Sequence, residues 1–177
     1  MRRTGRILSF VVLVIAVVSL VGVTVGGEKG AVAEAEKLKA TVRRSIEEIW
    51  NKGNLDFIGE LHTADLGYQA PPSVDIRGTD AYRQYVAGFH TTYPDLQLTI
   101  DELIVEGTTG AMRWTLRGTH AGPEGGSARG KKVVITGCVV FRAVDDKIAD
   151  MWNYADNLSM YQQLGYTLVP PEGQGGE

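Results

Sequence analysis

Apolar residues recur along this chain in several rhythms, and each rhythm predicts a different kind of element. Residues 7–25, ILSFVVLVIAVVSLVGVTV, form an unbroken uncharged run of 19 residues. That is close to the ~20 that cross a bilayer as a helix. From Glu34 the rhythm becomes helical, with Leu38, Val42, Ile46, Ile49 and Trp50 on one face and Gly53 placed to end the helix. Leu55, Ile58 and Leu61 predict a second, short helix. Leu66 to Ala70 predicts a short strand before Pro71-Pro72, and 73–78 a loop. Thr79 is placed to cap a third helix reaching about Thr92, whose stripe is Tyr82, Tyr85, Val86 and Phe89; Pro94-Asp95 stops it.

Beyond Pro94 the period drops to two. Alternation over 96–105, 110–120, 133–141 and 148–156 predicts four strands. Short turns join them, apart from one Gly-rich loop, AGPEGGSARG, at 121–130. The third of these strands is apolar at nearly every position from Val133 to Phe141, which predicts burial on both faces and a covering partner for the outer one. Cys138, inside that run, reads as a small core residue. Asp145-Asp146 marks the next turn. In the fourth strand Asp150, Trp152, Tyr154 and Asp156 share one face, while Ala149, Met151 and Ala155 share the other. Asn157 is placed to cap a short helix ending at Leu164-Gly165.

Helices grouped ahead of consecutive strands predict an α+β domain, with the helices packed on one face of a curved sheet. The expected organisation is a cytoplasmic N-terminus at 1–6, a transmembrane anchor at 7–25, a linker at 26–33, the domain at 34–166 and a disordered tail at 167–177. Arg2, Arg3 and Arg6 precede the apolar run, so the positive-inside rule places the N-terminus in the cytoplasm and the domain in the periplasm or outside the cell, as a single-pass protein. Ala31-Val32-Ala33 has the form of a cleavage site, but Glu28 and Lys29 separate it from the apolar run, which favours an uncleaved anchor. Gly22 and Gly26 form a GxxxG pair suited to close packing of another membrane helix.

Composition narrows the function classes. With 18 Lys and Arg against 21 Asp and Glu, the net charge is −3, which argues against a nucleic-acid binder, and no basic stripe with interleaved aromatics is present. One cysteine excludes an intrachain disulfide. His62, His90 and His120 fit no metal-ligand spacing, so no metal is expected. The Gly-rich loop has no G-x-x-x-x-G-K-[ST] pattern and is not a phosphate cradle.

Five segments carry a resemblance: IEEIWNKGNLD at 46–56, YPDLQLTI at 93–100, RWTLRGTHAG at 113–122, GKKVVITG at 130–137 and KIADMWNYADNLSMYQQLG at 147–165. In this order they resemble the SnoaL-like polyketide cyclases, also known as ester cyclases, of the nuclear-transport-factor-two-like superfamily. The resemblance implies a cone: a strongly curved antiparallel sheet wrapped around helices, open at one end to a pocket and often dimeric through its outer face. Active members close a polyketide ring by intramolecular aldol condensation, without metal or cofactor. The family's acid/base aspartate falls at Asp156, with His120 a plausible polar neighbour. The strand that carries a helping histidine in those members reads VVITGCVVFRA here and has none. Trp50, Phe89, Trp114, Trp152 and Tyr154 are the candidate pocket lining.

Three functions follow as expectations. The foremost is a non-catalytic, membrane-anchored accessory subunit that docks on other membrane proteins or forms a homodimer. The alternatives are a cofactor-independent cyclase or isomerase with Asp156 as base, and a binding protein for a small apolar ligand.

Overall fold

The computed structural model describes residues 30–123, 126–167 and 169. The apolar run at 7–25 with Gly22 and Gly26, residues 26–29 of the expected linker and most of the expected tail lie outside the described residues. Among the described residues no helix is long and apolar enough to cross a membrane.

Helix α1 is helical from residue 30 and widens into a π-turn at Ile46–Asn51. Residues 30–33 are therefore helix rather than linker; the alanines at 31, 33 and 35 favour helix and carry it back past Glu34. The stripe Leu38, Val42, Ile46, Ile49 and Trp50 is buried as its spacing predicts. Short α2 (Phe57–Leu61) runs directly into β1 (His62–Ala70). β2 (Val74–Arg77) pairs back onto β1 where a loop was expected; Val74 and Ile76 pack against the core while Asp75 and Arg77 face solvent. α3 (Thr79–Thr92) begins after Gly78, whose φ of 82° sits in the left-handed region glycine tolerates. Gly78, not Thr79, is the N-cap, and no side chain caps this helix.

The four long strands are β3 (Gln97–Glu106), β4 (Thr109–Thr119), β5 (Lys132–Val144) and β6 (Lys147–Ala155), followed by α4 (Asn157–Gln163). One six-stranded sheet results, in the order β2-β1-β6-β5-β4-β3. The fold is α+β as expected, but the sheet is mixed rather than antiparallel, because β1 pairs in parallel with β6. The chain between them passes through α3 and four further strands, so no hairpin imposes opposite directions on this pair. The β5–β6 turn is Asp145-Asp146, with φ of 49° and 62°. Two left-handed residues in a two-residue loop match the twist of the flanking strands.

β5 alternates without a break. Val133, Ile135, Val139, Phe141 and Ala143 are buried, whereas Val134 is 46% and Val140 38% exposed and Cys138 is also exposed. The expectations of two-sided burial and a core cysteine are both corrected. The inner residues meet the helices, and no layer of the described chain covers the outer face.

Two side-chain amides continue the sheet where strands run out. Asn51 donates to Leu98 O at 3.1 Å and accepts from Leu98 N at 2.7 Å, at the start of β3. Gln163 of α4 donates to Val134 O at 2.9 Å and accepts from Val134 N at 2.8 Å. β6 pairs with β5 only from Gly137 onward, so Gln163 satisfies backbone groups that would otherwise lack a neighbouring strand.

His62 opens β1 and is 1% exposed. Its Nδ1 lies 3.2 Å from Ile58 O, to which it donates, while Nε2 has no partner among the described residues. Burial lowers its pKa from 6.5 to about 4; the Ile58 carbonyl opposes this and Lys147 adds to it. The unfolded imidazole therefore takes up a proton that the folded one refuses. Stability should be complete above pH 6.5 and fall as the pH drops toward 4, by about 1.4 kcal/mol per pH unit. Urea denaturation at a series of pH values checks this, and His62→Leu should flatten the slope.

Candidate ligand-binding site

The inner stripe of α1, the aromatic face of α3 and the inner residues of β4, β5 and β6 do not fill the space they enclose. A cavity of about 320 Å³ remains, lined also by residues of α4 and the β1–β2 turn. Large side chains that cannot interdigitate leave such a space: Trp50 meets Phe89 edge-on at 5.5 Å between centroids, and Tyr85 meets Phe89 at 5.1 Å. Tyr68 of β1 lies 5.0 Å from the Tyr85 ring and 5.3 Å from Tyr82. Met112, Leu116, Val139 and Phe141 supply the sheet side.

Several polar groups in the wall pair with one another. Trp50 Nε1 donates to Tyr82 Oη at 3.2 Å, and Trp114 Nε1 donates to Asn153 Oδ1 at 3.1 Å. The Tyr68 and Tyr85 hydroxyls lie 3.2 Å apart. Burial raises the pKa of Tyr68, Tyr82 and Tyr85, keeping each phenol neutral and protonated. No Asp, Glu, His, Lys, Arg or Cys lines the cavity among the described residues. Nor do the described residues gather a cluster of His, Cys, Asp or Glu fit to hold a metal ion. The arrangement suits an uncharged, mostly apolar molecule held by shape and a few neutral hydrogen bonds.

Of the expected lining, Trp50, Phe89 and Trp114 face the cavity. Trp152 and Tyr154 do not. They pair across strands with Val140 and Cys138, both on the outer face, and Tyr154 is 58% exposed. The inner residues of β6 are instead Met151, Asn153 and Ala155. Asp156 is exposed and is the N-cap of α4; its Oδ1 accepts from Ser159 N at 2.9 Å. Asn157, expected in that role, is the first helical residue. His120 follows β4, packs edge-on against Tyr93 at 5.5 Å, and accepts from Gly122 N through Nδ1 at 3.0 Å. Neither Asp156 nor His120 is among the lining residues.

The sequence reading missed Tyr68, Tyr82, Tyr85 and Asn153 as site residues. A signal was present for two of them: Tyr82 and Tyr85 share the face of α3 that carries Phe89. Asn153 sits at the same strand parity as Met151 and Ala155, a pattern that marks the inner face once the aromatic face is recognised as the outer one.

Comparison with known proteins agrees with this architecture. The profile of the SnoaL-like polyketide cyclases matches residues 40–164. A candidate SnoaL-like polyketide cyclase from Jannaschia sp. CCS1 superposes with a TM-score of 0.66 at 18% identity, covering 76% of this chain and 95% of that one. TsrD from Streptomyces laurentii gives 0.64 at 26% identity, over 73% and 96% of the two chains. An LEH-like epoxide hydrolase from M. tuberculosis gives 0.61 at 18% identity, over 74% and 91%. A comparison with curated protein sequences gives no match.

Proposed function

The chain belongs to the SnoaL-like polyketide cyclase family, and we propose that its cavity binds a small, uncharged, mostly apolar ligand. The observation that carries this reading is the chemistry of the wall: about 320 Å³ lined by aliphatic, aromatic and neutral polar side chains, without an ionisable acid or base other than protonated tyrosines. Aldol-type cyclisation needs a proton acceptor within hydrogen-bond reach of the reacting carbon. For Asp156 to serve, it would have to leave Ser159 N and turn inward.

Trp50 and Trp114 both line the cavity, so their emission reports on it. The neutral probe N-phenyl-1-naphthylamine should quench them saturably, and Met112→Trp, which fills the space, should abolish uptake of the probe. Unsaturable quenching, or equal uptake by Met112→Trp, would defeat the reading. Asp156→Ala should cost about 0.5–2 kcal/mol of stability through the lost cap and leave probe affinity unchanged. A parallel loss of binding would return Asp156 to the site.

Membrane anchoring through residues 7–25, with the domain outside the cytoplasm, remains a proposal supported by the charge pattern around that run. The same holds for docking on other subunits or a second copy; in its favour are the exposed Val134, Val140, Ile104 and Tyr154 on the outer sheet face. Extraction of the full chain from membranes with mild detergent, followed by sizing, tests both.

A further inference from the structure

Strand β6 has two ends, and the structure gives them different neighbours. Its first end is the Asp145-Asp146 turn, where Asp146 pairs with Lys37 of α1. Its other end leads through Asp156 into α4. The β1–β2 turn lies beside that second end, because β1 runs parallel to β6 with Gln69 next to Trp152. At ~3.3 Å per residue, Lys147 and Ala155 stand about 26 Å apart. The cavity opens at the second end. Of its lining residues only Pro71, Ser73, Asn157 and Tyr161 are exposed, and all four belong to the β1–β2 turn or to α4. Phe141 and Ile148, which line it toward the first end, are buried.

Helix α1 runs between the same two ends in the opposite sense. Asn51, its last residue, bonds to Leu98, which aligns through Leu116 with Ile135, close to α4. Lys37 stands at the closed end, and residues 30–36 continue past it as helix, all but Ala35 exposed. These seven residues add about 10 Å beyond Lys37, and Val32 among them is 63% exposed. The chain therefore enters the domain from the end remote from the opening. We infer that α1 is a stalk that turns the cavity mouth away from the bilayer, so that the ligand is exchanged with the aqueous side. The assignment rests on residues 7–25 crossing the membrane and on the cavity being a binding site. A molecule dissolved in the anchoring bilayer has no direct way into the cavity. The partner that supplies or removes the ligand is water-borne.

The test places the full chain, with Cys138→Ser, in liposomes that contain an acceptor-labelled lipid. A donor dye is attached either to Val144→Cys, beside the β5–β6 turn, or to Ser73→Cys, at the mouth; both positions are exposed. Energy transfer to the lipid should be at least about threefold greater from position 144, given a separation near the length of a nine-residue strand. Tyr161→Cys, on the other side of the mouth, should match Ser73→Cys. Equal transfer from both ends, as for a domain lying flat, overturns the inference, and so does stronger transfer from the mouth. Failure of the chain to float with the liposomes defeats the membrane reading instead. Loss of saturable N-phenyl-1-naphthylamine uptake defeats the cavity reading and leaves the orientation standing.

Discussion

Phe141→Ala should destabilise the domain by about 3–5 kcal/mol, the range for removing a buried phenylalanine. Phe141 is 2% exposed, lies on the inner face of β5 and forms part of the cavity wall. Its neighbour across the ladder is Gly110, where a Cβ would stand 2.3 Å from Phe141 Cζ. The two positions are thus matched: the ring fills space that only glycine leaves open. Removing the ring enlarges a void that already exists, so little collapse offsets the loss. A domain of this size holds about 5–15 kcal/mol in total, so the variant should be near its unfolding limit. Urea denaturation reads the result as a lower midpoint with an unchanged slope.

Gly137→Ala should also destabilise the domain, by less and by the opposite route. Gly137 stands between Trp114 of β4 and Ala155 of β6 in the ladder. An added methyl would lie 2.3 Å from Trp114 Cζ2 and 2.6 Å from Tyr154 O. The carbonyl belongs to paired backbone, and the indole is held by Asn153 at 3.1 Å, so neither yields easily. Overpacking of this kind costs about 1–3 kcal/mol. It also pushes Trp114 into the cavity or off its Asn153 partner. The expected signature is lower stability together with altered tryptophan emission and weakened probe binding. If stability fell while binding held, the indole would not depend on Gly137 for its place.

The helices were legible because their stripes are long. The α1 face from Leu38 to Trp50 and the α3 face from Tyr82 to Phe89 are buried or partly buried as their spacing requires. β5 was legible as a strand but not in its orientation. Val134, Cys138 and Val140 are as apolar as their inner neighbours, and composition alone cannot tell an uncovered apolar face from a covered one. The same ambiguity misplaced Trp152 and Tyr154: large aromatics suggested a pocket, whereas the cavity side of β6 carries the slimmer Met151, Asn153 and Ala155. Asp156 was legible as a motif position, and its bond to Ser159 N makes it the cap that Asn157 was expected to be. That Trp50 reaches Tyr82 and Trp114 reaches Asn153 was not legible at all, since each pair meets only across the fold.

The parallel seam between β1 and β6 has a consequence for how the molecule is made. His62 aligns with Ile148, and Tyr68 with Met151. A ribosome delivers the β1–β2 hairpin and α3 long before the strand they must join. Until Lys147–Ala155 emerges, the inner edge of β1 is open, and the sheet cannot close over its helices. Closure late in translation, across so wide a separation along the chain, slows folding and leaves an unpaired edge exposed to other chains. Nascent-chain pulling-force profiles should show one late event, after β6 clears the exit tunnel, in place of stepwise assembly from the N-terminus.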